Sequence, residues 1–166
     1  MVGSELELGK CGEYYAIFTL AKQGFVAYPS DQGLPYDVVV DVGGRLLRGQ
    51  VKSTMGRRDY GRMKDVYRWG TRSSKGANRP TLAAKCDFYA FVSISDEKIA
   101  FMATSEILSA KNHGTVCQAV EMRSRHQEMA TRIYSTGKVR IFDKAKIIEN
   151  FEVFSRVAEI ILRAKK

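Results

Sequence analysis

A carboxylate at Asp37, an amide at Gln50 and an ammonium at Lys52 are the side chains with the most chemistry to offer in this chain. They lie in two strand-like runs, Tyr36 to Val42 and Arg45 to Thr54, joined by Gly43-Gly44. A Gly-Gly pair between β-rich runs signals a two-residue hairpin turn. With that turn Val42 pairs with Arg45, and Asp37 falls opposite Gln50. Strand side chains alternate, so Asp37, Val39 and Asp41 share a face with Arg48, Gln50 and Lys52. Tyr36, Val38, Val40, Leu47, Gly49 and Val51 point the other way, toward a core. Opposed side chains stand ~5 Å apart at Cβ, close enough for two oxygens to meet on one cation. Carboxylate and amide oxygens are hard ligands suited to Mg²⁺. Lys52, one rung on, would reach a water or phosphate beside that ion. A metal that acidifies an attacking water and a lysine that steadies developing charge are what phosphodiester hydrolysis needs. Ordinary alternation on a half-buried antiparallel strand gives the same polar face without any function.

Other residues weigh in around this face. Asp41 lies ~13 Å along the strand from Asp37 and reads as a solvated charge near the turn. Glu13 stands on a leading helix beside apolar neighbours, with Gly9 and Gly12 permitting close packing. Such a carboxylate is paired, coordinating, or a helix-end acid near the positive dipole end. After Thr54 the composition changes. Met55 to Lys85 carries nine basic residues against Asp59 and Asp65, most of the excess charge of the chain. Arg57, Arg58, Arg62, Lys64, Arg68 and Arg72 alternate with Tyr60, Tyr67 and Trp69. Basic side chains contact phosphates and aromatics stack on bases, so this segment is a candidate DNA-contact insertion. A solvated charged loop is the plain alternative.

These groups need a scaffold. Residues 5–24 carry helical spacing at Tyr14, Ile17, Phe18 and Ala21, stopped by Gly24. Phe25 to Pro29 reads as a short strand and Ser30 to Pro35 as a loop. The basic segment is broken by glycines and reads as loops with at most a short helix or strand. Asp87 to Ser95 is a strong strand pairing with Lys98 to Ala103. A short helix capped by Thr104 or Ser105 follows, through Ala110. A helix is expected over 116–130, a last short strand over Val139 to Phe142, and a final helix capped by Asp143. In that helix Ile147, Phe151, Phe154, Ala158 and Ile161 form one stripe. The pattern is that of an α+β or α/β single domain over 1–166, with a core of about 5–110, a basic insertion over 55–85 and a helical part over 112–166.

Composition sets wider limits. With 166 residues and 45% hydrophobic content, the chain has enough material for one real core. A net charge of +9 and a pI near 9.6 favour a polyanionic partner, nucleic acid or an anionic membrane surface. No apolar run approaches the ~18 residues of a membrane span. The N-terminal residues lack the regions of a signal peptide. Cys11, Cys86 and Cys117 form neither a disulfide framework nor a zinc pattern, so a cytoplasmic, nucleoid-associated location is expected. His113 and His126 form no ligand pair. A structural zinc site and a Ser-His-Asp hydrolase are poor fits.

Pro35-Tyr36-Asp37 followed after twelve residues by Gln50-Val51-Lys52 resembles the signature of the PD-(D/E)XK nuclease superfamily, with Gln in place of the final acid. Gly12-Glu13 on the leading helix and the Phe25-Val26 strand match the same superfamily. The phrasing of residues 35–54, the strand from Cys86 to Val92, Lys98–Ala103 and Ser105-Glu106-Ile107-Leu108 look most like its group I intron-associated homing endonucleases. Archaeal Holliday junction resolvases come next. The resemblance covers about residues 9–108. It implies a restriction-endonuclease-like αβββαβ core with a mixed sheet, and Mg²⁺-dependent DNA cleavage (with Mn²⁺ as a substitute) by a homodimer or homotetramer. Carried over, Glu13 and Asp37 would ligate metal, Gln50 would hold the acidic ligand position beside Val51, and Lys52 would be the catalytic lysine. Ser30 and Gln32 sit in the loop where related enzymes approach the scissile phosphate. Gln50 supplies oxygen without charge, which lowers metal affinity relative to Glu. That substitution keeps a rival alive, a nucleic-acid-binding protein that holds the fold without cleaving.

Overall fold

The computed structural model describes residues 4–31, 33–60, 63–71, 82–110, 114–125, 132–133, 139–140 and 147–164. The chain opens with helix α1 (Glu5–Lys22), fixed at its start by a reciprocal capping box. Glu7 N–H donates to Ser4 Oγ at 3.2 Å while Ser4 N–H donates to Glu7 Oε2 at 2.9 Å. Beyond its C-cap at Gln23, Gly24 takes a left-handed φ of 84° and turns the chain toward the sheet. Gly12, Ala16 and Leu20, spaced by one helical turn, are the buried stripe of α1.

Strands β1 (Val26–Pro29), β2 (Val38–Val42) and β3 (Arg45–Thr54) form an antiparallel meander. Gly43 and Gly44 both have positive φ, 62° and 83°, the backbone a tight hairpin turn demands. Val42 pairs with Arg45 and Val38 with Gly49, the register expected from the turn. After β4 (Arg58–Tyr60), β5 (Met63–Gly70) and a 3-10 turn over Ala83–Lys85, strand β6 (Phe88–Ser93) returns parallel to β3. Strand β7 (Lys98–Ala103) pairs antiparallel with β6. The resulting five-stranded mixed sheet has the order β1-β2-β3-β6-β7.

Each face of this sheet is covered. On one, α1 and the closing helix α2 (Phe154–Arg163) pack against Val38, Val40, Leu47, Val51, Phe88, Ala90 and Phe101. Phe154 is the centre of that layer, with ring centroids 5.0 Å from Phe25, 4.9 Å from Phe88 and 5.3 Å from Phe101. Full burial of such side chains is worth about 1.5–3 kcal/mol each. Gln23 joins the two helix ends, accepting from Phe154 N–H at 2.8 Å and donating to the Glu152 carbonyl at 2.9 Å. On the other face a second layer gathers Tyr67, Trp69, Tyr89, Phe91, Met102, Val120, Met122 and Ile148 beneath a three-stranded sheet, β4-β5-β8. Strand β8 is Ala119–Met122, and β9 (Arg132–Ile133) pairs with β10 (Val139–Arg140).

Several expectations change. Residues 119–122 form a strand, not part of a helix over 116–130: Val120 and Met122 are buried while Ala119 and Glu121 are half-buried, a period of two that pairs with β5. The basic segment is more ordered than a loop, because Val66, Tyr67 and Trp69 are core residues that pull Met63–Gly70 into a strand. The helix expected from Thr104 or Ser105 to Ala110 is one 3-10 turn, Thr104–Ile107, in which the Glu106 carboxylate accepts from Ala103 N–H at 2.8 Å. The final helix begins at Phe154, since Val153 is extended and the preceding residues Ile148–Phe151 make a separate 3-10 turn. Asp143 lies outside the described residues. Alternation predicts that Tyr36 shares a core face with Val38 and Val40. It packs against the opposite layer, because pairing in β2 starts at Val38 and strict alternation ends there.

Candidate active site

The site grows out of the frayed start of β2. Asp37 N–H donates to the Gly49 carbonyl at 2.8 Å, so the backbone still follows β3 one residue ahead of the ladder. The Asp37 side chain then takes over from the missing strand. Its Oδ2 accepts from Val51 N–H at 2.7 Å and from Gln50 Nε2 at 2.5 Å. Val51 is 7% exposed, so without Asp37 its N–H would be a buried orphan. The loop ahead of Asp37 is clamped as well: Ser30 N–H donates to the Asp37 carbonyl at 2.9 Å, and the Ser30 hydroxyl donates to the Tyr36 carbonyl. Ser30 therefore serves the loop's own geometry.

Gln50 and Lys52 follow on the same face of β3, opposite Tyr89 and Phe91 of the parallel neighbour. Those two aromatic side chains are fully buried and flank the polar residues on the same face. Burial, then the neighbouring Cys86, Cys117 and Asp37, pushes the Tyr89 phenol up, so it stays protonated. Close packing below is enforced by glycine: a Cβ at Gly49 would collide with the Phe88 ring, and one at Gly12 with the Ser53 hydroxyl. Gly12 thus brings α1 down onto β3 beside the site. The Lys52 ammonium makes no ion pair or hydrogen bond among the described residues, which leaves it available to an anion.

Glu13 follows Gly12 on α1. Its side chain is only 16% exposed and is held by Lys10 Nζ, which donates to Oε2 at 2.6 Å. That bond, then the charges of Glu13, Tyr14 and Asp37, raises the Lys10 ammonium above its ordinary range. Lys10 is the residue the sequence reading missed. Its spacing of three from Glu13 on a helix was the available signal.

The donor set suits a hard divalent cation. Asp37 Oδ1 and Gln50 Oε1 accept no hydrogen bond among the described residues, and Gln50 already lies against the carboxylate. Glu13 adds a second carboxylate, and Val51 a main-chain carbonyl. No cluster of three His, Cys, Asp or Glu side chains occurs among the described residues, so any such site here must use an amide or carbonyl oxygen. Asp41 is elsewhere: its carboxylate accepts from Gly44 N–H at 2.7 Å and serves the turn.

The basic segment divides. Arg57, just past β3, is paired with Asp65 at 3.2 Å and Asp96 at 3.7 Å, at the edge of a polar groove that also includes Met55, Arg58 and Ser95. Arg58 is exposed and makes no ion pair among the described residues. Arg68 is paired with Glu121 at 3.2 Å and lies over the Tyr60 ring. Trp69 corrects the expectation of base stacking: it is 1% exposed, stacked on Tyr67 and tilted against Phe91, and its indole N–H donates to the Val92 carbonyl at 2.9 Å. An apolar residue on the inward side of β5 serves the core. Gln32, Arg62, Arg72, His113, His126 and the Lys64 side chain lie outside the described residues.

Comparison with known proteins agrees with this fold. Across 98% of this chain and 97% of the other, the structure superimposes on the bacterial homing endonuclease I-Ssp6803I with a TM-score of 0.61 and 20% identity. No match is found among curated proteins. The family model described as PD-(D/E)XK endonuclease matches residues 4–135, most of the chain. With that model covering the helix, the meander and both strands that follow, this chain belongs to the PD-(D/E)XK endonuclease family.

Proposed function

We propose that this endonuclease is a Mg²⁺-dependent, site-specific homing-type enzyme that hydrolyses phosphodiester bonds of duplex DNA. The observation that carries the reading is the Asp37 carboxylate held against Gln50 by Val51 N–H, with the unpaired Lys52 ammonium one rung along the same face. Asp37, Glu13, the Gln50 amide oxygen and the Val51 carbonyl would hold the ion. Bound there, Mg²⁺ supplies Lewis-acid polarisation of the phosphate and a lowered pKa for a nearby water. Lys52 holds positive charge at the phosphate oxygens as negative charge builds on them. The buried Tyr89 and Phe91 rings flank Gln50 and Lys52 on this face. Arg58 and its basic neighbours supply salt-dependent affinity for the backbone. A homodimer or homotetramer would present two such sites to the two strands. The likeness in shape to a homing endonuclease supports the homing type over other nucleases.

The test is cleavage of a random duplex library beside a four-way junction, with Mg²⁺ and with EDTA. One preferred duplex site, cut only with Mg²⁺, is expected. Cutting confined to the junction would favour a Holliday junction resolvase, and binding without cutting would favour a non-cleaving member of the fold.

A further inference from the structure

Lys10 occupies a singular place in the molecule. Glu13 is a largely buried carboxylate, and Asp37 is a second one held by main-chain and amide donors. A carboxylate only 16% exposed needs a partner. Lys10 is the cation that the helix supplies: its ammonium donates to Glu13 Oε2 at 2.6 Å. The lysine itself is 44% exposed on its side chain, so it reaches Glu13 from the solvent side and can leave again. Lys52 differs, since it makes no ion pair with either acid.

We propose that Lys10 is a built-in placeholder cation, a positioning residue that neutralises Glu13 in the metal-free enzyme and must release it before a divalent ion can bind. The inference rests on the reading of Glu13, Asp37 and Gln50 as the metal site. It adds a competitor to that site. An ion held by the Glu13 carboxylate would compete with the ammonium for Oε2. Such an arrangement would neutralise Glu13 while the site is empty and lower the site's apparent affinity for the ion.

The test is Mn²⁺ binding to the full chain without DNA, read by electron paramagnetic resonance of the free ion, in wild type, Lys10→Met, Lys10→Arg and Asp37→Asn. Removing a solvent-facing competitor should tighten Mn²⁺ binding by about two- to fivefold in Lys10→Met. Lys10→Arg retains a cation and should bind as wild type does. Unchanged or weaker binding in Lys10→Met, with wild type bound and Asp37→Asn impaired, would overturn the placeholder alone. Binding unaffected by Asp37→Asn would instead overturn the metal-site reading beneath it. A simultaneous small drop in melting temperature of ion-free Lys10→Met is also expected, because Glu13 then loses its ion-pair partner.

Discussion

On the proposed mechanism Asp37 performs two tasks that substitution can separate. Its Oδ2 satisfies Val51 N–H at 2.7 Å, and Val51 is 7% exposed. Alanine at this position removes the acceptor and leaves a nearly buried N–H without a partner, at a cost of about 1–3 kcal/mol. The Gln50 amide is half-buried and turns to water, so its lost bond to Asp37 adds little. For a chain of this size ~1 kcal/mol moves the melting temperature by about 2–4 °C. Asp37→Ala should therefore lower it by roughly 2–12 °C. Asparagine keeps an oxygen at the same place and exchanges a charge-assisted bond for a neutral one, costing about 1 kcal/mol or less. Both variants lose the carboxylate charge, so both should lose DNA cleavage. Circular dichroism melting and plasmid cleavage in Mg²⁺ read the two tasks independently. Equal destabilisation by Ala and Asn would refute the argument from Val51, and an Asp37→Asn enzyme that cuts normally would refute the role of the charge.

Trp69→Ala should destabilise the fold by about 3–5 kcal/mol, seen in urea unfolding, since it empties a fully buried site; loss of DNA affinity without loss of stability would return Trp69 to the DNA surface. Arg58→Ala should flatten the dependence of DNA affinity on salt by about one unit of log–log slope, whereas Arg57→Ala, already paired with Asp65 and Asp96, should change it less. Glu149 is pushed up by burial, but its bonds from Ser124 Oγ at 2.7 Å and Arg125 N–H at 3.0 Å, with Lys98 nearby, bring it below the ordinary carboxylate range. A folded-state value below the unfolded one gives stability present above about pH 4.3 and lost as pH falls through the folded value. The melting temperature should thus fall more steeply between pH 5 and pH 3 in wild type than in Glu149→Gln.

How much was legible in the sequence varies from one residue to the next, for physical reasons. The hairpin was readable because Gly43-Gly44 needs positive φ at both positions and strand alternation follows from the turn. That fixed the meeting of Asp37 with Gln50 and the burial of Val38, Val40, Leu47 and Val51. Tyr36 escaped because a strand's alternation holds only while it is paired. Val120 and Met122 escaped because four residues with a period of two carry little signal amid polar neighbours. The burial of Trp69 is not legible in its charged segment, because it depends on a partner, β8, that lies about fifty residues later. Lys10 escaped because an i,i+3 pair on a helix is an ordinary surface feature, and the burial of Glu13 that gives the pair weight exists only after α1 has packed on β3 through Gly12.

The central claim is that the face shared by Asp37, Gln50 and Lys52 hydrolyses DNA. The most direct measurement is the single-turnover cleavage rate of Lys52→Met in Mg²⁺, with DNA affinity measured on the same preparation. Lys52 makes no structural bond, so the variant should fold and bind DNA within about threefold of wild type. Its cleavage rate should drop by about 10²–10³-fold, the usual loss when one charge-stabilising group is removed. A Lys52→Met enzyme that cuts within tenfold of wild type would contradict the account.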